Sequence, residues 1–170
     1  MFYNKNYFDI FQVEEDSTEV ANLDAMQRKL HYSFEQVLQF DRLGHRTPVR
    51  ALAMASDDSL VISGSTESLK LWSCGEDFQL IKSFPAENCI FVKFLPKDRF
   101  FVTGSKNGVL NLYDMRKSEV LQSIMAHTEA IWSIDWHEKP AGSKGINLLT
   151  GSSDHTIKFW GVLLDKDTKS

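Results

Sequence analysis

The sequence predicts an all-β chain built from repeated antiparallel meanders, and three observations carry that prediction. First, short runs alternate apolar and polar residues between turn signals; in the stretch from Ala126 to Trp160 they are Ile131 to Trp136, Leu148 to Ser152 and Ile157 to Trp160. Second, copies of that stretch superpose. Ile62-Ser63-Gly64-Ser65 leads to Leu71-Trp72, Val102-Thr103-Gly104-Ser105 to Leu112-Tyr113, and Leu149-Thr150-Gly151-Ser152 to Phe159-Trp160. Third, the spacing is regular. The closing aromatics lie 41 and 47 residues apart, and the opening marks Gly44-His45, Ala86-Glu87 and Ala126-His127 lie 42 and 40 apart.

Repeats of that period with Gly-His and Trp-Asp marks resemble the WD-repeat family, in which each repeat is one four-stranded blade. The implied fold is a WD40-type β-propeller fragment of about three four-stranded blades plus a partial N-terminal blade, with a short helical insertion. A propeller closes with typically about four to eight blades, so the missing ones are expected from a longer protein or from an assembly.

Residues 1–43 read as a partial blade. Asn4-Lys5-Asn6 signals a turn, and Tyr7 to Val13 alternates like a third strand. A helical insertion follows at about 14–33: Val20, Leu23, Met26 and Leu30 fall at steps of three and four after the N-cap candidates Asp16-Ser17-Thr18. Such a helix serves either as packing on the propeller's side or as a docking element. Tyr32 to Phe40, directly before Gly44-His45, takes the outer-strand position.

Residues 44–85 form a first repeat, with strands at Val49 to Met54, Leu60 to Gly64, Leu69 to Trp72 and Gln79 to Phe84. Its third-strand turn is one residue short, with 8 steps from Gly64 to Trp72 against 9 in the other two. Residues 86–125 form a degenerate repeat. Glu87 replaces the histidine, Glu87 to Ile90 spans 3 steps where His45 to Arg50 spans 5, and Asn107-Gly108 is a strong hairpin turn. Residues 126–164 form a repeat lacking its last strand, with a Pro-, Gly-, Ser- and Lys-containing surface loop from His137 to Ile146, and 165–170 form a polar tail.

His127, Thr150, Asp154 and Trp160 hold the residue types of a catalytic set. In WD-repeat proteins these positions form a buried structural chain, Asp to His to Ser/Thr to Trp indole, and the resemblance implies that role here. The physical need is general, since a buried indole N–H, imidazole and carboxylate each require partners. The first repeat keeps His45, Ser63 and Trp72 without the turn Asp. No catalytic residue, cofactor site or metal site is predicted: His31, His137 and His155 are scattered, and the Gly-Ser pairs precede no helix. Arg50, Ile90 and Trp132, the residues entering each first strand, are the candidate partner surface, because Trp and Arg dominate binding hot spots. The alternative for Trp132 is packing against Trp136 or a neighbouring blade.

With 42% hydrophobic and 25% charged residues the composition is that of a soluble globular chain, and a net charge of −4 makes it no sink for nucleic acid or acidic membrane. The start lacks the apolar core of a signal peptide, and no run is long enough to span a membrane. Cys74 and Cys89 have neither disulfide nor metal-ligand spacing, which points to a reducing compartment.

A narrower resemblance rests on Gly44-His45-Arg46 through Val49-Arg50, the short Ser-Leu-Lys-Leu-Trp turn, Gly108 to Asp114, Ala126-His127 with Ala130 to Ser133, and Lys158-Phe159-Trp160. The chain resembles the first-propeller region of the nucleolar family numbered twelve in the U-three snoRNA-associated WD-repeat set, of the UTP-B subcomplex of the small-subunit processome. The insertion at 14–33 and Gly161, where Asp is usual, depart from that pattern. The resemblance implies a non-catalytic scaffold of the nucleus and nucleolus, acting in ribosome biogenesis and pre-rRNA (18S) processing. Its partners would be other WD-repeat subunits of the processome, with indirect snoRNP and pre-rRNA association and neither membrane nor small-molecule substrate. The alternative is a WD-repeat adaptor in a signalling or ubiquitin-ligase complex.

Overall fold

The computed structural model describes residues 9–15, 32–39, 44–75, 78–117, 119–140 and 145–163. The chain divides into two compact units, 1–46 and 47–170. In the first, β1 (Asp9–Glu15) pairs antiparallel with β2 (Tyr32–Gln39), from Asp9 opposite Gln39 to Glu15 opposite Tyr32, with a bulge between Ile10 and Phe11. The insertion expected at 14–33 is therefore narrower at both margins, because the ladder takes up the backbone groups of Glu14, Glu15, Tyr32 and Ser33. The helix expected over Val20 to Leu30 and the polar tail expected at 165–170 lie outside the described residues.

The second unit holds three meandering sheets. The first orders β3 (Ala51–Met54), β4 (Leu60–Gly64), β5 (Ser68–Ser73) and β6 (Leu80–Pro85); the second orders β7 (Cys89–Phe94), β8 (Phe100–Ser105), β9 (Val109–Asp114) and β10 (Val120–Met125). The third orders β11 (Ile131–Glu138), β12 (Ile146–Ser152) and β13 (Ile157–Val162), with no fourth strand among the described residues. The loop expected from His137 to Ile146 is shorter, since His137 and Glu138 pair with Asn147 and Ile146 and continue the ladder.

Hairpin geometry follows from turn chemistry. At the tip between β7 and β8 the Asp98 N–H donates to Leu95 O at 3.0 Å, closing a turn with Pro96 second and Lys97 third, and Lys97 and Asp98 have positive φ, 70° and 52°. The Asp98 carboxylate also accepts from the backbone N–H of Ser56 at 3.0 Å and from the Ser56 hydroxyl, tying the tip of the first sheet to that of the second.

The core lies between sheets. Ile62, Leu69, Leu71 and Phe84 of the first sheet meet Cys89, Val92, Phe94, Phe101 and Tyr113 of the second. On the second sheet's other side Val102 and Leu110 meet Ile131, Ile134, Ile146 and Leu148 of the third. The second sheet is thus covered on both faces, which is why Phe100-Phe101-Val102 reads as an unbroken apolar run. Close approach at one position in each sheet sets the stacking. A methyl on Gly64 would lie 2.8 Å from Cys89 Sγ, and one on Gly104 would lie 2.9 Å from Ile131 Cβ. The glycines of the first two Gly-Ser pairs are therefore seats for the next sheet's first strand.

Candidate functional site

The turn between β12 and β13 places Asp154 beneath the connector that carries His127. His127 is 1% exposed; its Nδ1 lies 2.9 Å from Asp154 Oδ2 and its Nε2 2.7 Å from Thr150 Oγ1. Trp160 Nε1 donates to the same Thr150 oxygen at 2.9 Å. One tautomer satisfies every group: the indole donates to Thr150, the Thr150 hydroxyl donates to Nε2, and Nδ1–H donates to the carboxylate. Thr156 completes the turn, its hydroxyl donating to Asp154 Oδ1 at 2.7 Å, while the Thr128 N–H reaches Oδ2 at 3.3 Å. The Thr156 hydroxyl bond leads the causes that hold the Asp154 carboxyl well below the usual carboxylate range; His127 and the Thr156 and Thr128 amides add to it against desolvation. Thr150 is 1% exposed, its hydroxyl both donates to His127 and accepts from Trp160, and what this arrangement can do is fix the connector rather than attack a substrate.

The other repeats treat the same positions differently. In the first, Trp72 Nε1 donates to Ser63 Oγ at 2.8 Å with both side chains buried, and His45, in the 1–46 unit, is also buried. In the second, Glu87 and Asn107 are exposed and Tyr113 replaces the tryptophan. The Tyr113 hydroxyl donates to Pro85 O at 3.0 Å, and burial pushes its pKa up to about 12.

Arg50, Ile90 and Trp132 occupy one register position, immediately before the residues that pair with Gly64, Gly104 and Gly151. Ile90 and Trp132 sit in β-bulges, between Cys89 and Phe91 and between Ile131 and Ser133. A bulge leaves its extra residue out of the ladder and re-aims its side chain. Arg50 is exposed, Ile90 half-buried and Trp132 62% exposed, its indole N–H held by Ser153 Oγ at 2.5 Å. Packing against Trp136 does not account for Trp132, because the Trp136 indole is turned to Phe94 O at 2.9 Å. The surface thus offers a cation, an aliphatic group and an oriented indole.

Four contributors escaped sequence reading. Ser153 orients Trp132, and Thr156 holds Asp154. Lys158 Nζ donates to Ala126 O at 2.6 Å. The serine of each Gly-Ser pair caps the following turn: Ser65 Oγ accepts from Ser68 N, Ser105 Oγ from Val109 N, and Ser152 Oγ from Asp154 N. Only the last had a visible signal, a serine recurring three to five residues before each third strand. Among the described residues no group of three His, Cys, Asp or Glu side chains is placed to hold a metal.

Comparison with known proteins bears on these repeats directly. The WD domain, G-beta repeat family matches residues 34–73, 78–114 and 118–161, each match running from an outer strand to the next closing aromatic. The chain is 36% identical to WD repeat-containing protein 3 of Mus musculus over 127 residues, 75% of this chain and 13% of the relative. It is 38% identical to U3 small nucleolar RNA-associated protein 12 of Saccharomyces cerevisiae over 118 residues, 69% of this chain and 12% of the relative. It is 31% identical to WD repeat and FYVE domain-containing protein 2 of Caenorhabditis elegans over 121 residues, 69% of this chain and 28% of the relative. The chain therefore spans about an eighth of the length of the first two, in keeping with a fragment of a protein of their kind. Three matched repeats, each ending at the closing aromatic of a sheet, place the chain in the WD domain, G-beta repeat family.

Proposed function

We propose that the protein is a non-catalytic WD-repeat scaffold of ribosome biogenesis, helping to assemble the small-subunit processome for pre-rRNA (18S) processing in the nucleolus. The observation that carries this reading is the 38% identity to a protein named for its association with U3 small nucleolar RNA, alongside 36% to WD repeat-containing protein 3. Arg50, Ile90 and Trp132 would be anchors for protein partners, foremost other WD-repeat subunits. A net charge of −4 suits protein contacts better than direct capture of RNA, whose binding rests on neutralised phosphates. Association with snoRNP and precursor rRNA would then be indirect.

The test is purification of the endogenously tagged full-length protein with its co-purifying proteins and RNA identified together. WD-repeat processome subunits with precursor rRNA and U3 snoRNP are the expected result. Recovery of kinases or ubiquitin-ligase parts without pre-ribosomal RNA would favour the adaptor reading.

A further inference from the structure

The second and third repeats also differ at the corner beside the buried chain. In the third sheet Lys158 stands opposite Thr150, and its ammonium donates to Ala126 O, fastening the connector onto the sheet. The first sheet again places a lysine at that register, Lys70 opposite Ser63. In the second sheet the residue opposite Thr103 is Asn111, shorter and uncharged. Around it the connector is two residues shorter, and Glu87 stands where His127 stands in the third repeat. What results is a cleft of about 550 Å³ whose lining includes Glu67, Ala86, Glu87, Asn107, Asn111 and Tyr113. Glu67 and Glu87 are both exposed, and no ion pair to either carboxylate occurs among the described residues.

We propose that this cleft receives a lysine or arginine side chain of a protein partner, whose cationic head takes the place that the Lys158 ammonium fills from within in the neighbouring repeat. The two carboxylates supply complementary charge, and the amide oxygens of Asn107 and Asn111 supply neutral acceptors. Pro85, Ala86 and Val120 give the apolar wall along which the stem of such a side chain packs. A cation held by ionised acceptors makes the stronger class of hydrogen bond. This assigns a partner chemistry to a place apart from Arg50, Ile90 and Trp132, and it holds whichever assembly the protein serves.

The test uses the full-length protein and fluorescence anisotropy, titrated into the millimolar range. Three labelled peptides of one sequence are compared, centred on arginine, on lysine and on citrulline, which has the shape of arginine without its charge. Tighter binding of the cationic pair is expected. The E67Q/E87Q variant should weaken it by about tenfold, N111K should remove it by placing an ammonium inside, and E138Q on the third sheet should leave it unchanged. Equal binding of the citrulline peptide, no binding of any peptide, or binding that survives E67Q/E87Q would overturn the proposal. If circular dichroism shows N111K to be unfolded, E67Q/E87Q decides alone, since both carboxylates are exposed.

Discussion

The two seams of the second unit solve one problem in different ways. Between the second and third sheets the closing aromatic is Trp160, whose N–H sits partway along the ring and must be answered on the spot. Thr150, His127 and Asp154 form the relay that does so. Between the first and second sheets the closing aromatic is Tyr113, whose hydroxyl at the ring's far end reaches the connector carbonyl of Pro85, with Thr103 as a side-chain partner. Around it that seam gathers an aromatic cluster among its aliphatic residues: Phe101 stacks on Tyr113 at 4.8 Å and 5°, and Phe84 meets both edge-on at 5.3 and 5.9 Å. The degenerate repeat is therefore no damaged copy. Exchanging Trp for Tyr removes the need for His and Asp and frees position 87 to become a glutamate.

The seams can be told apart by substitution in the full-length protein, followed by urea denaturation. Phe101→Ala should cost most, about 3–5 kcal/mol, as the removal of a fully buried ring leaves a cavity. Thr150→Val keeps the shape but strands the Trp160 N–H and His127 Nε2, at about 2–3 kcal/mol. The matched change Thr103→Val should cost under about 1 kcal/mol, because the Tyr113 hydroxyl keeps its carbonyl partner. Equal costs at 150 and 103 would remove the distinction drawn here.

Acid should find the second seam first. Asp154 has a depressed pKa, so its contribution is full above the unfolded value near about 3.9 and is lost as pH falls through the folded one. The urea midpoint of wild type should decline below about pH 4, and Asp154→Asn, less stable at neutral pH, should show a flatter decline over the same range. Cysteine chemistry sharpens the first seam. Buried Cys89, its thiol pushed up to about 12 by burial, should resist alkylation until that seam opens, while partly exposed Cys74 should react first. The smallest stability change belongs to Trp132→Ala, within about 0.5 kcal/mol, though partner recovery in the purification should fall.

Much of this was legible beforehand, for a physical reason. Register in a sheet buried on both faces has no slack, so the Gly-Ser pairs and closing aromatics recur in step, and His127, Thr150, Asp154 and Trp160 meet wherever that step is kept. The exposure of Trp132 was not legible, because a bulge is created by the pairing of two strands and leaves no mark on either. Nor was the role of Lys158, whose acceptor is a main-chain carbonyl 32 residues away. The ladder past His137 was hidden for a similar reason: a Pro- and Gly-bearing stretch reads as loop until its partner strand is known.

Gly64 and Gly104 carry a further consequence, one of accumulated placement. The second and third sheets are each positioned by the glycine of the sheet before, so any error in seating is inherited by everything downstream. The span from Arg50 to Trp132 is then the product of two successive seatings, and the span from Arg50 to Ile90 of only one. A partner gripping all three residues gauges the stack as a ruler would. Gly104→Ala would shift its last graduation while leaving the first two where they were.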